Sequence, residues 1–559
     1  MATVYLLKVL IDAVTAASGA PDDDKAVRYV LWMVLLTGLV FLLSTLTDSL
    51  KSYIQLKLQQ YFYDSIFQKI HQTTTSIDVA YFEDDAYYNL FSRAIQNADS
   101  KPLQIVESSF RLLQFSISIL TLGALLVSLH WSVPLLLLIA ALPLGIAKVY
   151  YSNALHQWYQ SNTQAERKIW DTHDVLTNAY FSRELRVNGL TMYFRSLFER
   201  LRSEVRSGYL SIIKRRAIVE TFCLLFAAVA VFGALGYISL QSIAGILTVG
   251  GLAMYVMAIH RGVSFFQELL KSLAELYENG LYITYIQDFL ALEPRDKPLD
   301  EGLDFPRNLS QGIQFKNVNF SYPKSSRAAL KDFNIFIPAG KTVAIVGANG
   351  AGKSTMVKLL CGLYSADEGE ILIDGVEIKE LSRRALRENL GVLFQNFSRY
   401  NFSVRENIWF GDPHKPMDDQ RIQDAARKAQ VDKMISRLPY EYRTVLGRIY
   451  DNSEEISGGE WQKIGLARTF FKDSEVVILD EPTAALDPDA EYEIFSLFSE
   501  IVKDKTAIII SHRFSSVRMA DYIYVLNDQL VEEHGTHAEL MTKKGMYYRM
   551  FSKQAEAYV

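Results

Sequence analysis

Three stretches of this 559-residue chain contain no Asp, Glu, Lys or Arg: Tyr29–Thr47, Leu112–Ala147 and Thr221–His260. A helix that crosses a bilayer needs about 20 mostly apolar residues. The first stretch fits one span. The second fits two, with a break at His130-Trp131-Ser132-Val133-Pro134, and the third fits two, with a hairpin expected near Ser239–Ser242. A sixth span is expected over Ala2–Ala17, which is short and carries Lys8 and Asp12. Ser18-Gly19-Ala20 has the small residues of a signal-peptidase site, but no basic segment precedes the apolar run, so a shortened first membrane helix is the expectation.

Basic residues set the orientation. Both hairpins lack Lys and Arg, whereas eleven such residues lie between Arg167 and Arg216. The hairpins are therefore expected outside and the basic segment in the cytoplasm. The cytoplasmic connections, from about Asp48 to Leu103 and from about Val149 to Arg216, are rich in helix formers. They read as membrane helices continuing into the cytoplasm and joined at their tips. Glu107, Arg111, Glu220 and Arg261 lie about 20 residues from an outer hairpin, one membrane thickness, so they are placed near the inner interface. The organisation predicted is a helical membrane domain over 1–290, a linker over 291–311 and a cytoplasmic α/β domain over 312–559.

Composition excludes several classes. With 31 Phe, 31 Tyr and 6 Trp the chain is not disordered. A net charge of −5 argues against a nucleic-acid partner. Cys223 and Cys361 are too few for a disulfide scaffold or a Cys-based zinc site and read as core residues.

From about Gly312 the pattern changes to short apolar runs between polar helices. Val343–Val346, Val476–Leu479 and Ala507–Ile510 have the character of buried parallel strands. The first leads directly into Gly347-Ala348-Asn349-Gly350-Ala351-Gly352-Lys353-Ser354, the GxxxxGK[ST] phosphate-binding loop, with a helix after it. Its glycines let backbone N–H groups turn towards phosphate oxygens. Lys353 is expected to reach the β- and γ-phosphates and Ser354 to ligate Mg²⁺. Val476–Leu479 ends in Asp480-Glu481. Asp480 is placed to hold Mg²⁺ through water, and Glu481 to polarise the attacking water. Ser457-Gly458-Gly459-Glu460 opens another helix, predicted over Trp461–Phe471. One phosphate loop already serves the chain's own nucleotide, so a second anion-binding helix end points to another molecule's ATP. Ser457 could equally be a plain helix cap.

With these motifs in order, the chain resembles an ATP-binding cassette exporter half-transporter: a six-helix membrane domain fused to one cassette. The resemblance rests on Gly347–Thr355, Gln395 in Phe394-Gln395-Asn396, Ile456–Glu460, Ile478–Glu481, Asp487 in Ala485-Leu486-Asp487, and His512 in Ser511-His512-Arg513. It implies a cassette that binds Mg²⁺ and ATP and hydrolyses ATP to drive transport. In that family Tyr322 would stack on adenine, with Gly347, Asn349, Gly350, Ala351, Gly352, Lys353, Ser354 and Thr355 around the phosphates. Gln395 would touch Mg²⁺ or the attacking water, and His512 would hold the γ-phosphate. Ser457, Gly458, Gly459 and Glu460 would face the ATP of the partner chain, with Asp487 at the dimer interface. The helix tips near Glu83–Leu90 and Asn178–Val187 resemble coupling helices. Three features depart from the family: Glu460 stands where Gln is usual, after Ile456; Arg448–Glu455 does not match the usual acidic-glycine element; and the first helix is short, without the elbow expected before it.

The resemblance implies a second copy as partner and a multi-pass place in the bacterial cytoplasmic membrane, among its lipids. Within the cassette, Ile456–Phe471 is most similar to bacterial lanthipeptide and other bacteriocin exporters. The cargo implied is a peptide or an amphipathic or hydrophobic molecule, the alternatives being a lipid flippase or a multidrug pump. An ATP-gated channel or a regulatory membrane ATPase is the rival class, against which an intact Glu481 and His512 argue.

Overall fold

The computed structural model describes the chain except for residues 1, 19–23, 99–100, 129, 294–299, 307, 483–497, 499–501, 503–504, 512, 514–516 and 557–559. Asp487 and His512 lie outside the described residues. The chain forms two compact units, Met1–Thr75 with Ala86–Leu292, and Ser76–Asp85 with Glu293–Val559.

The first unit is helical: α1 (Ala2–Ser18), α2 (Asp24–Ser76), α3 (Asp85–Ala98), α4 (Lys101–Val127), α5 (Ser132–Ser161), α6 (Thr163–Thr177), α7 (Ser182–Val187), α8 (Thr191–Ile243) and α9 (Val249–Leu290). Among the described residues α2, α4, α5, α8 and α9 are long and apolar enough to cross a membrane. At 1.5 Å per residue, the 17 residues of α1 span about 26 Å, less than a bilayer core of about 30 Å. Leu122, Leu126, Val133, Leu137, Ala234, Ile238, Ala258 and Ile259 fill the interior of the unit. Leu35, Phe41 and Leu42 on α2 stay exposed, as side chains that face lipid do. Asp12 is not a blemish in α1. Its carboxylate accepts from Gly250 N at 3.0 Å and Thr248 Oγ1 at 3.3 Å, and so caps the N-terminus of α9. A Cβ on Gly250 would lie 2.4 Å from that carboxylate, which is why glycine stands there.

The second outer hairpin falls later than Ser239–Ser242. Helix α8 runs through those residues, and the turn occupies residues 244–248. Ser239 donates to Leu235 O at 2.9 Å and Gln241 to Tyr237 at 3.2 Å, so both polar side chains are satisfied within the helix. Gly245, at φ +74°, supplies the left-handed residue that ends it. Charges expected near the inner interface have partners: Arg111 pairs with Glu275 at 2.5 Å, Arg216 with Glu220 at 2.9 Å, and Glu107 accepts from the amide of Gln55 at 3.2 Å. Cys223 is half-buried rather than core, whereas Cys361 is buried.

The first helix tip expected near Glu83–Leu90 takes in the end of a 3₁₀ turn and the start of α3. That turn, Val79–Glu83, interrupts the path, and α3 begins at Asp85. Residues 76–85 belong to the second unit, where Asp78 pairs with Arg383 at 3.1 Å, Glu83 with Lys358 at 3.6 Å and Asp84 with Lys324 at 2.5 Å.

The second unit contains β1 (Gly312–Ser321), β2 (Ala328–Pro338), β3 (Thr342–Gly347), α10 (Lys353–Leu360), β4 (Glu368–Ile373), β5 (Val376–Glu377), α11 (Arg383–Asn389), β6 (Leu390–Leu393), α12 (Val404–Trp409), α13 (Asp419–Lys428), α14 (Asp432–Ile435), β7 (Val445–Leu446), β8 (Ser453–Glu454), α15 (Gly458–Lys472), β9 (Val476–Asp480), β10 (Thr506–Ile510), β11 (Tyr522–Asn527), β12 (Leu530–Gly535), α16 (His537–Lys543) and α17 (Met546–Glu556). A six-stranded sheet has the order β12-β11-β3-β10-β9-β6, parallel except for β12 at one edge. A four-stranded antiparallel sheet has the order β2-β1-β4-β5. Alternation along the central strands explains why both faces are covered. Val476, Ile478, Ile508 and Ile510 join the core shared with the antiparallel sheet and α10. Val477, Leu479, Ala507 and Ile509 join a second core under α12, α13 and α15, centred on Trp461.

Candidate active site

Strand β3 delivers the chain into the glycine loop, and α10 leaves it. Gly347, Gly350 and Gly352 have φ of +154°, +80° and +100°. At Gly352 a Cβ would lie 2.5 Å from Leu330 Cδ2 and 2.8 Å from Ala329 O, so both conformation and space demand glycine. Lys353 is buried and curls back over the loop. Its ammonium donates to Gly347 O at 2.8 Å and Ala348 O at 3.0 Å. Burial lowers its pKa, and the nearby carboxylates of Glu481 and Asp480 oppose that shift.

Strand β10 lies between β3 and β9, and the parallel order brings the acidic pair after β9 to the same end of the sheet as the glycine loop. Asp480, buried at the tip of β9, accepts from Ser354 Oγ at 2.9 Å. Glu481 follows at φ +54°, an uncommon conformation for a residue with a Cβ. Its N–H donates to Ile510 O at 2.9 Å, and its carboxylate accepts from Gln395 Nε2 at 2.8 Å. Gln462, which the sequence did not single out for the site, donates its amide to the Glu481 carbonyl at 3.0 Å. Its position, five residues after Ser457, is the one sequence signal that could have pointed to it.

Tyr322, Asn349, Gly350, Gly352, Lys353, Ser354, Thr355, Gln395 and Glu481 line one cavity of about 530 Å³, within the usual range of about 300–1,000 Å³ for a small-molecule site. Gly347 and Ala351 form the buried back of the loop. The Tyr322 hydroxyl meets Thr355 Oγ1 at 3.1 Å, and Lys358 Nζ stands 4.8 Å from the Tyr322 ring centre. A mainly polar cavity with an ammonium at its glycine loop suits a nucleotide polyphosphate. The oxygen donors of Ser354, Asp480 and Gln395 suit Mg²⁺. No cluster of three His, Cys, Asp or Glu side chains that could cage a metal occurs among the described residues.

Ser457, Gly458, Gly459 and Glu460 are not among the residues lining this cavity. They open α15, where Ser457 is the N-cap. Its Oγ accepts from Glu460 N at 3.3 Å, while the Glu460 carboxylate accepts from Ser457 N at 2.7 Å. Glutamate thus closes a capping box where the family has glutamine. The departing segment before it makes the short β7–β8 pair, with Ile449 and Tyr450 exposed between the strands and Arg448 meeting Glu455 at 3.5 Å.

Several apolar membrane-length helices joined to a phosphate-loop ATPase unit define a multi-pass membrane transporter with an ATP-binding cassette. Residues 330–484 match the ABC transporter family. Over 497 residues the chain is 31% identical to the subtilin transport ATP-binding protein SpaT of Bacillus subtilis, covering 86% of this chain and 78% of that protein. It is 28% identical over 562 residues to the nisin transport ATP-binding protein NisT of Lactococcus lactis subsp. lactis, covering 100% and 91%. It is 27% identical over 552 residues to the ATP-dependent lipid A-core flippase of Salmonella typhimurium, covering 98% and 92%. The fold matches that of a bacterial Atm1-family ABC exporter with ATP bound, at a TM-score of 0.83 and 21% identity, covering 99% of this chain and 98% of that one. The chain belongs to the ABC transporters and has the ABC exporter fold, so its cassette binds ATP and couples ATP hydrolysis to transport.

Proposed function

We propose that the protein is a homodimeric exporter of the bacterial cytoplasmic membrane that moves a peptide or another amphipathic molecule outward at the expense of ATP. The observation that carries this reading is the convergence of Lys353, Ser354, Glu481 and Gln395 on one nucleotide-sized cavity, with Asp480 bonded to Ser354 behind it. Lys353 and the loop N–H groups hold the β- and γ-phosphates. Ser354, Asp480 and Gln395 would hold Mg²⁺, which supplies charge neutralisation at the phosphates. Glu481 accepts a proton from the water that attacks the γ-phosphorus, as the bond to the bridging oxygen breaks and ADP and phosphate leave. By resemblance, His512 contacts the γ-phosphate and Asp487 lies at the dimer interface. Ser457 and Gly459 at the opening of α15 complete the site of the other chain.

The peptide reading is supported by the subtilin and nisin transport proteins among the relatives. A lipid-flipping reading is supported by the lipid A-core flippase, which matches nearly the whole chain. Inside-out vesicles containing the full chain separate them. The expected result is ATP-dependent uptake of a cationic amphipathic peptide, with no ATP-dependent transfer of fluorescent lipid between leaflets. Lipid transfer without peptide uptake would reverse the assignment. ATP turnover with neither would favour a gate or regulatory ATPase.

A further inference from the structure

Among the described residues, three hold Glu481. Ile510 O takes its N–H at 2.9 Å, Gln395 grips its carboxylate at 2.8 Å, and Gln462 donates to its carbonyl at 3.0 Å. The residue adopts φ +54°, where a side chain with a Cβ persists only if its surroundings fix it. Of these partners, Gln462 comes from α15, and it is buried. It lies three residues beyond Gly459, one helical turn from the N-terminus of α15, so a shift of that turn moves the amide that grips Glu481. Trp461 beside it is fully buried in the second core, which packs this turn against Val477 and Leu479 of β9, the strand that leads into Glu481.

We propose that Gln462 is a positioning residue for hydrolysis: its amide fixes the Glu481 peptide and relays the state of the α15 N-terminus to the catalytic carboxylate of the same chain. This deepens the reading given above, since it takes Glu481 as the base and the α15 N-terminus as the grip on the other chain's ATP. In the dimer, ATP bound at one site would then align the base of the other.

The test uses the full chain in proteoliposomes, with ATP turnover measured against ATP concentration. Gln462→Met keeps the length of the side chain and removes its donor. The expected result is a fall in kcat of about tenfold or more, a KM for ATP within about twofold of wild type, and a Hill coefficient reduced towards one. Gln462→Glu supplies a second readout and carries the test if Gln462→Met does not fold. Its carboxylate cannot donate, but its protonated form can. Its turnover relative to wild type should therefore rise as pH falls from about 8 to 6, because burial raises a carboxyl pKa. A folded Gln462→Met with wild-type kcat overturns the proposal, as does a flat activity ratio in Gln462→Glu. Glu481→Gln serves as the reference. If it is inactive while the Gln462 variants are normal, only the relay fails; if it turns over normally, the reading beneath it fails.

Discussion

Charge at single positions decides what the cassette can do. Glu481→Gln leaves Lys353, Ser354 and Asp480 untouched, so ATP binding should persist. What is lost is the proton acceptor for the attacking water, worth about 10²–10⁴ in rate. Turnover should fall by that factor, and ATP should trap a closed dimer. ATP retained by the variant on rapid gel filtration would then accompany the lost turnover; near-normal turnover, or no retained ATP, removes Glu481 from the role. Glu460 invites the opposite experiment. Its carboxylate closes the capping box on Ser457 at 2.7 Å, but it sets a negative charge beside a helix end proposed to grip a phosphate. Gln also suits that third helical position. Glu460→Gln should therefore keep α15 intact and lower the KM for ATP, by a few-fold for an interaction worth about 0.3–1 kcal/mol. An unchanged or higher KM would place the carboxylate away from phosphate. Lys353, Ser354, Asp480 and Glu481 were legible in the sequence because each sits at a fixed offset from a strand end. Gln462 was not singled out, because its partner is a backbone carbonyl and its offset from Ser457 was the one signal it offered.

At the level of elements, apolar runs located helices and strands well and turns less well. Helix α8 absorbs Ser239 and Gln241 because their side chains bond within the helix. The 3₁₀ turn Val79–Glu83 runs into the expected first tip at Glu83. There Asp78 and Glu83 meet Arg383 and Lys358, contacts distant in sequence that no local pattern could reveal. A similar long-range device opens β1. Asp374, in the β4–β5 turn, accepts from Ser310 N at 2.7 Å, Gln311 N at 2.9 Å and Gly312 N at 2.8 Å. Burial pushes its pKa up, but the N–H donors of Gly312, Ser310 and Gln311 outweigh burial and hold it below the ordinary value. A depressed carboxylate stabilises the fold above its unfolded pKa of about 3.9, and that contribution is lost as pH falls through the lower folded value. Asp374→Asn should lower the thermal midpoint of the cassette at neutral pH. The gap to wild type should close as pH drops from about 4.5 to about 2.5. Thermal unfolding followed by tryptophan fluorescence measures both, and parallel pH curves would show that Asp374 contributes through shape alone.

On the scale of the whole molecule, the arrangement of the cassette fits the second copy proposed above. Lys353, Ser354 and Glu481 line the nucleotide cavity, whereas Ser457 and Gly459 do not. In a two-fold symmetric pair each chain can present its α15 end to the other's cavity, which makes two equivalent sites. Mixing tests this directly. Lys353→Ala removes the phosphate grip of its own chain. Gly459→Asp places a carboxylate where the partner's γ-phosphate would dock. Each variant alone spoils both sites of a homodimer. In a mixed dimer both defects fall in one site, and the other site is intact. Random association of equal amounts makes half the dimers mixed, so turnover should reach up to about a quarter of wild type, and less if the two sites must act together. The expectation is activity above that of either parent after the two are solubilised together and reconstituted. If each chain instead built its whole site alone, mixing would restore nothing, and a mixture no more active than its parents would remove the shared site.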